Sequence, residues 1–162
     1  MRIVTAGVYG HTEETFFDAV NGAKIDVFVD TRRRRAVRGA KYAFANSNRL
    51  QAKLAEMGIR YEHRLDLAPT MEMVHAQDAE DRAQGIRRSD RDDLGNTLVE
   101  GYTHLVLDDL DSKAFVASLG DPASILIFCV ERTPAACHRS LLAERLATDL
   151  GAEVEHILPP EA

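Results

Sequence analysis

Apolar and polar positions along the chain alternate between short buried runs and amphipathic stretches. Arg2 to Ala6 is apolar and β-branched, and it passes into Gly7-Val8-Tyr9-Gly10-His11-Thr12, a glycine-punctuated loop whose threonine suits a helix N-cap. In the helix that follows, Phe16, Phe17, Val20 and Ala23 share one face. Glu13, Glu14 and Asp18 sit near its start, where the helix dipole favours acids. Ile25 to Asp30 then predicts a second strand, largely apolar and buried. Two strands joined by a helix predict a right-handed βαβ unit and a parallel sheet.

Arg32 to Asn46 is basic and glycine-containing and reads as a loop. Asn48 to Met57 predicts a helix with Leu50, Leu54 and Met57 on one face and Gly58 at its C-terminal end, and Ile59 to Arg64 a third strand. Between Asp78 and Asp93 ten of sixteen residues are charged with mixed signs, which marks 78–93 as a solvated helix, lid or insertion without an apolar stripe. Tyr102 to Leu107 reads as a strand or the start of a helix, and Ser112 to Leu119 as a helix. Ser124 to Val130 is the clearest buried strand and is expected at the centre of the sheet. Ala135 to Leu150 predicts the next helix, ended by Gly151, and Glu153 to Leu158 a last strand. The expectation is one α/β domain over residues 1–162, a three-layer sandwich with a mostly parallel central sheet flanked by helices.

Composition narrows the class. With 45% hydrophobic and 28% charged residues in 162, the chain has ordinary globular usage and enough length for a sizeable core. No apolar run approaches the roughly 20 residues of a membrane span, and Met1 to Ala6 lacks the pattern of a signal peptide. A cytoplasmic protein without membrane contact is expected. Cys129 and Cys137 are too few for a secreted disulfide scaffold and read as free thiols. The net charge of -6 confines any nucleic-acid contact to a local patch. Arg32, Arg33, Arg34, Arg35, Arg38 and Lys41 supply such a patch, with Tyr42 and Phe44 beside it as candidate stacking rings.

In an open α/β sheet, ligands bind beyond the carboxyl ends of the strands, where loops meet helix N-termini. Three segments should meet there: the loop from Gly7 to His11, Asp30 to Arg35, and Cys129 to Ser140. Cys137, His138, Arg139 and Ser140 open a helix whose free N–H groups attract an anion, and Arg139 adds a planar fork matched to phosphate. Phosphate is the first ligand expected. In that field Cys137 would be acidified and able to act as a nucleophile, with His138 shuttling a proton or steadying an oxyanion. Glu131 is an acid/base candidate, and Asp30 either orients Arg32 or acts as a base. Gly7, Tyr9 and His11 could contact the same ligand, and Cys129, inside an apolar strand, reads first as core. Zinc held by Cys129, Cys137 and His138 lacks the paired short-spaced motif that would supply a second half, so no metal site is expected and no cofactor is specified.

The chain resembles the bacterial and archaeal family catalogued as domain of unknown function 488. The likeness lies in Thr5-Ala6-Gly7, Val29-Asp30-Thr31-Arg32 and Gly58-Ile59-Arg60-Tyr61. It is most specific in Phe128-Cys129-Val130-Glu131 followed by Cys137-His138-Arg139-Ser140. Val8-Tyr9 and Leu67-Ala68 depart from the family pattern. The resemblance implies an α/β fold and a site at Asp30, Arg32, Cys129, Glu131, Cys137, His138 and Arg139, and it implies no settled reaction. Three readings follow. The leading one is an enzyme or binding protein for a phosphate-bearing ligand, nucleotide or nucleic acid, held by Arg32, Arg139 and the helix N-terminus. The others are a thiol-based redox or sulfur-handling protein using Cys137 and Cys129, and a non-catalytic nucleic-acid module using residues 32–44.

Overall fold

The computed structural model describes residues 1–161. Five strands, β1 (Arg2–Ala6), β2 (Val27–Asp30), β3 (Arg60–His63), β4 (Ser124–Phe128) and β5 (Glu153–Ile157), form one sheet in the order β3-β2-β4-β1-β5. All four pairings are parallel, so the mostly parallel sheet read from the sequence is parallel throughout. The helices are α1 (Glu13–Gly22), α2 (Ser47–Glu56), α3 (Met71–Ala83), α4 (Asn96–Tyr102), α5 (Ser112–Ser118) and α6 (His138–Leu150).

Two apolar clusters show the three layers. Phe16, Phe17 and Val20 of α1 and Leu50 and Leu54 of α2 pack with Val4, Phe28, Leu126 and Phe128 on one face. Met73, Leu98, Tyr102, Phe115, Leu142 and Leu146 pack with Ile3, Val27, Val29, Ile125 and Ile127 on the other. Successive residues of β4 thus serve opposite layers, and every one is buried, which is why this strand reads as a continuous apolar run. The outer strands β3 and β5 carry Arg60, Glu62, Glu153 and Glu155, charges that discourage edge-to-edge pairing.

Local chemistry sets the element ends. Thr12 caps α1 in a reciprocal box with Thr15, and Thr70 accepts from the Met73 N–H to open α3. Gly151 closes α6 in the left-handed conformation, as its position predicts. Tyr102 to Leu107 is helical: α4 runs on into a π-helical stretch over Thr103–Leu107, where the Thr103 hydroxyl donates to the Val99 carbonyl at 2.7 Å. The charged segment is less detached than its composition suggests. Its first part is α3, and the chain beyond turns back through a short 3₁₀ turn over Arg88–Asp90, tied down by buried polar groups in place of an apolar stripe.

Candidate functional site

From β1 the chain leaves toward the α1/α2 layer, and from the adjacent β4 it leaves toward the α6 layer. The two strands therefore part at their carboxyl ends, the point where an open sheet makes its crevice. Their loops stay close. The Val8 and Tyr9 N–H groups both donate to the Val130 carbonyl, at 2.9 and 3.0 Å. Gly7 lies so near the Glu131 carbonyl that a Cβ would stand 1.9 Å from its oxygen, so glycine is required for the approach and not for a special φ.

Beyond Phe128, β4 leaves the ladder and presents Cys129 toward α6, whose N-cap is Cys137. The two sulfurs and a ring nitrogen of His138 lie within 4.8 Å of one another, and all three residues are buried. The Cys137 Sγ is 3.7 Å from His138 Nδ1 and accepts from the Arg139 N–H at 3.5 Å. The other ring nitrogen, Nε2, meets the Thr31 hydroxyl at 2.9 Å and the Thr31 carbonyl at 3.1 Å. Burial pushes the Cys137 thiol up, but donation from Cys129 and the charges of His138 and Arg139 outweigh it and bring it down to about 5. Cys129, which donates to Cys137 and is buried, is pushed well above the ordinary thiol value. Burial lowers the His138 pKa, and the facing thiolate raises it by more.

Glu131 sits two residues past Cys129 and is 3% exposed. Burial opposes its charge, but Arg88 and Arg91 hold its carboxyl well below the usual carboxylate range. Arg88 reaches its Oε1 through two nitrogens at 3.0 and 2.8 Å, and Arg91 through one at 3.2 Å. Arg91 also binds Asp81 at 2.8 Å and the Ala136 carbonyl at 3.0 Å, so it straps α3 to the strand end. Oε2 of Glu131 is buried with no hydrogen-bond partner among the described residues.

A cavity of about 840 Å³ opens over this floor, within the size range of small-molecule sites. Cys129, Glu131 and His138 line its bottom. Arg33, Arg34, Arg38 and Tyr42 come from the basic loop, Tyr9 from the first loop, Val74, His75 and Gln77 from α3, and Arg87, Arg88 and Arg91 from the segment beyond. Sequence reasoning missed these last three. Alternating charges look the same on a solvated face as on a lid, and nothing in their spacing marks the buried Gln77, Asp81 and Arg91 that anchor them.

The residues singled out in the sequence divide sharply. Arg32 is not a free cation at the rim: its Nε and Nη2 go to Asp30 at 3.0 and 2.9 Å, its Nη1 to the Ala45 carbonyl at 2.9 Å, and it lies over the Phe128 ring. Asp30 is spent on Arg32 and on the Tyr61 hydroxyl at 2.7 Å, which makes the two a buried strut that shapes the basic loop. Arg139 is fully buried and outside the cavity lining. Its Nη1 donates to the Glu131 carbonyl at 2.8 Å, while Nε and Nη2 have no partner among the described residues. The Ser140 hydroxyl closes on the Cys137 carbonyl at 3.0 Å. His11 is buried against Phe16 and bonded to Thr15, and burial lowers its pKa.

In the basic patch, Arg34 and Arg38 make no hydrogen bond or ion pair among the described residues and face the cavity. Arg33 reaches the Pro69 carbonyl and Arg35 the Tyr61 hydroxyl. Lys41 sits over the Tyr42 ring, Tyr42 packs edge-on to Tyr9 and accepts from the Gly10 N–H, and Phe44 is buried in the α1/α2 layer. No base could stack on Phe44 without unfolding that layer. Among the described residues no helix is long and apolar enough to cross a membrane.

The sequence profile of the family described as domain of unknown function DUF488 matches residues 12–146, and the chain belongs to that family. Comparison with curated proteins and with solved structures returned no match.

Proposed function

We propose that this DUF488-family chain binds a phosphate-bearing small molecule of nucleotide size in the cavity over the strand ends, with the sulfur cluster as its reactive floor. One observation carries the reading: seven arginines line a single cavity against two carboxylates, Asp78 and Glu131. Arg32 is taken up by Asp30, Arg33 by the Pro69 carbonyl, Arg87 by Asp90, and Arg88 and Arg91 by Glu131 and Asp81. Arg34 and Arg38 remain as donors to a ligand, and an anion held between planar guanidinium forks gains charge-assisted bonds worth about 1.5–3 kcal/mol each. This moves the ligand-binding role from Arg32 and Arg139 to neighbours of Arg32 on the basic loop. A small molecule is favoured over a polymer because the site is a walled cavity and the expected stacking ring Phe44 is core.

A second reading is favoured by Cys129 lying on the cavity floor with the Cys137 sulfur behind it: the two thiols act together on a bound electrophilic or oxidised sulfur substrate. Isothermal titration with inorganic phosphate, AMP and a single-stranded oligonucleotide tests the first reading on the full chain and on Arg34→Ala with Arg38→Ala. Saturable AMP binding that falls roughly tenfold or more in the double variant, at unchanged stability, is expected. No saturable binding of phosphate or AMP, or equal affinity in the variant, would overturn it. Tight oligonucleotide binding that drops steeply with salt would favour the nucleic-acid module instead.

A further inference from the structure

We propose that Cys129, Cys137 and His138 form a binding site for one thiolate-preferring metal ion, zinc first, with a coordination position open to the cavity. The sequence offers no paired motif for such a site. The fold makes one by bringing a strand end onto a helix N-terminus eight positions later in the chain, a distance that no short-spaced pattern encodes.

Geometry is the first support. With Zn–S near 2.3 Å and Zn–N near 2.0–2.1 Å, tetrahedral ligand atoms stand about 3.6–3.8 Å apart. The Cys137 Sγ and His138 Nδ1 are already 3.7 Å apart, and no pair in the triad exceeds 4.8 Å. Closing the triad onto an ion takes a rotamer adjustment of roughly 1 Å at most.

The surroundings are those of a metal ligand set. The Thr31 carbonyl can only accept, so Nε2 of His138 carries a proton, and the lone pair of Nδ1 is left to face the sulfurs. Fixing a ligating imidazole by a hydrogen bond from its far nitrogen is how proteins set the tautomer of a metal-bound histidine. The Arg139 N–H donates to the Cys137 sulfur, a bond that a thiolate ligand accepts. On binding, the ion replaces the protons still held by the sulfurs and by Nδ1 of His138, which pass to solvent, and two thiolates then neutralise a dication. The ion therefore sits among Arg88, Arg91 and Arg139 without adding net positive charge.

Cys129 and His138 line the cavity, so three protein ligands leave the remaining position facing the ligand space, the arrangement of a reactive metal and not of a closed structural one. The buried Oε2 of Glu131, in the same wall and without a partner among the described residues, would be the acceptor offered to a water on such an ion. Metal binding itself does not depend on the phosphate reading.

The full chain, purified without an affinity tag under reducing conditions, is assayed for bound metals, stripped with a chelator and refilled with zinc or cobalt(II). The expected results are about one ion per chain, thiolate-to-cobalt charge transfer in the near ultraviolet, and zinc protection of both thiols from iodoacetamide. Cys129→Ser, Cys137→Ser and His138→Gln should each abolish the cobalt spectrum, with circular dichroism confirming the fold. Thr31→Val, which removes the hydroxyl but leaves the carbonyl that accepts from Nε2, should keep the cobalt spectrum and change zinc affinity by well under about tenfold. Less than about a tenth of an ion per chain after refilling, or equal alkylation with and without zinc, overturns the site even if the cysteine variants fail to fold. Zinc binding without AMP binding would sink the phosphate reading alone, and AMP binding without zinc the metal site alone.

Discussion

Replacing Gly7 by alanine tests whether the two loops at the head of the sheet are locked together. The backbone φ at Gly7 is not in the left-handed region, so alanine strains nothing locally and the whole effect must come from the neighbour it meets. Its Cβ would stand 1.9 Å from the Glu131 carbonyl oxygen, 2.9 Å from the carbonyl carbon and 3.1 Å from Nη2 of Arg139. Carbon at ordinary contact needs roughly 3.5 Å, so the loops must part by more than about 1 Å. Two bonds hold them, Val8 and Tyr9 N–H to Val130, and the methyl would also push the Arg139 guanidinium off the Glu131 carbonyl. Two neutral bonds at about 1 kcal/mol each and one charge-assisted bond at about 2 kcal/mol give a loss near 4 kcal/mol. Urea denaturation followed by circular dichroism reads this directly. With a slope of about 2 kcal/mol/M, the midpoint should fall by about 2 M at unchanged slope. A fall of less than roughly 0.5 M would mean that the loops yield freely and that the site is not fixed by this contact.

Arg91→Ala removes the cation between Asp81 and Glu131 and leaves two buried carboxylates without it, so a loss of about 3–5 kcal/mol is expected in the same assay, with faster proteolysis of residues 84–93. A change within about 0.5 kcal/mol would show that the segment is not strapped to the strand end. Phe44→Ala should cost about 3–5 kcal/mol because the ring fills the space between Phe16 and Phe17. A loss of oligonucleotide binding at full stability would show instead that the ring serves as a stacking platform.

The hydrophobic pattern by itself determined the alternation of strands and helices, the burial of β4 and the capped ends at Thr12 and Gly151, because these depend on residues a few positions apart. It also marked Cys129, Glu131, Cys137 and His138 as one group, since a strand end and the next helix start are joined by a short loop that topology must place at the crevice. Tertiary structure alone decided which cations are free. Arg32, Arg34 and Arg139 have the same side chain. Asp30 and the Ala45 carbonyl consume the first, the Glu131 carbonyl holds the last under the Gly7 loop, and only Arg34 of these three faces the cavity with no partner among the described residues. The pairing of Arg88 and Arg91 with Glu131 spans at least 40 positions and has no local signature. A guanidinium is a ligand site or a strut according to what lies within 3 Å of it, and that neighbourhood comes into being only when distant segments pack.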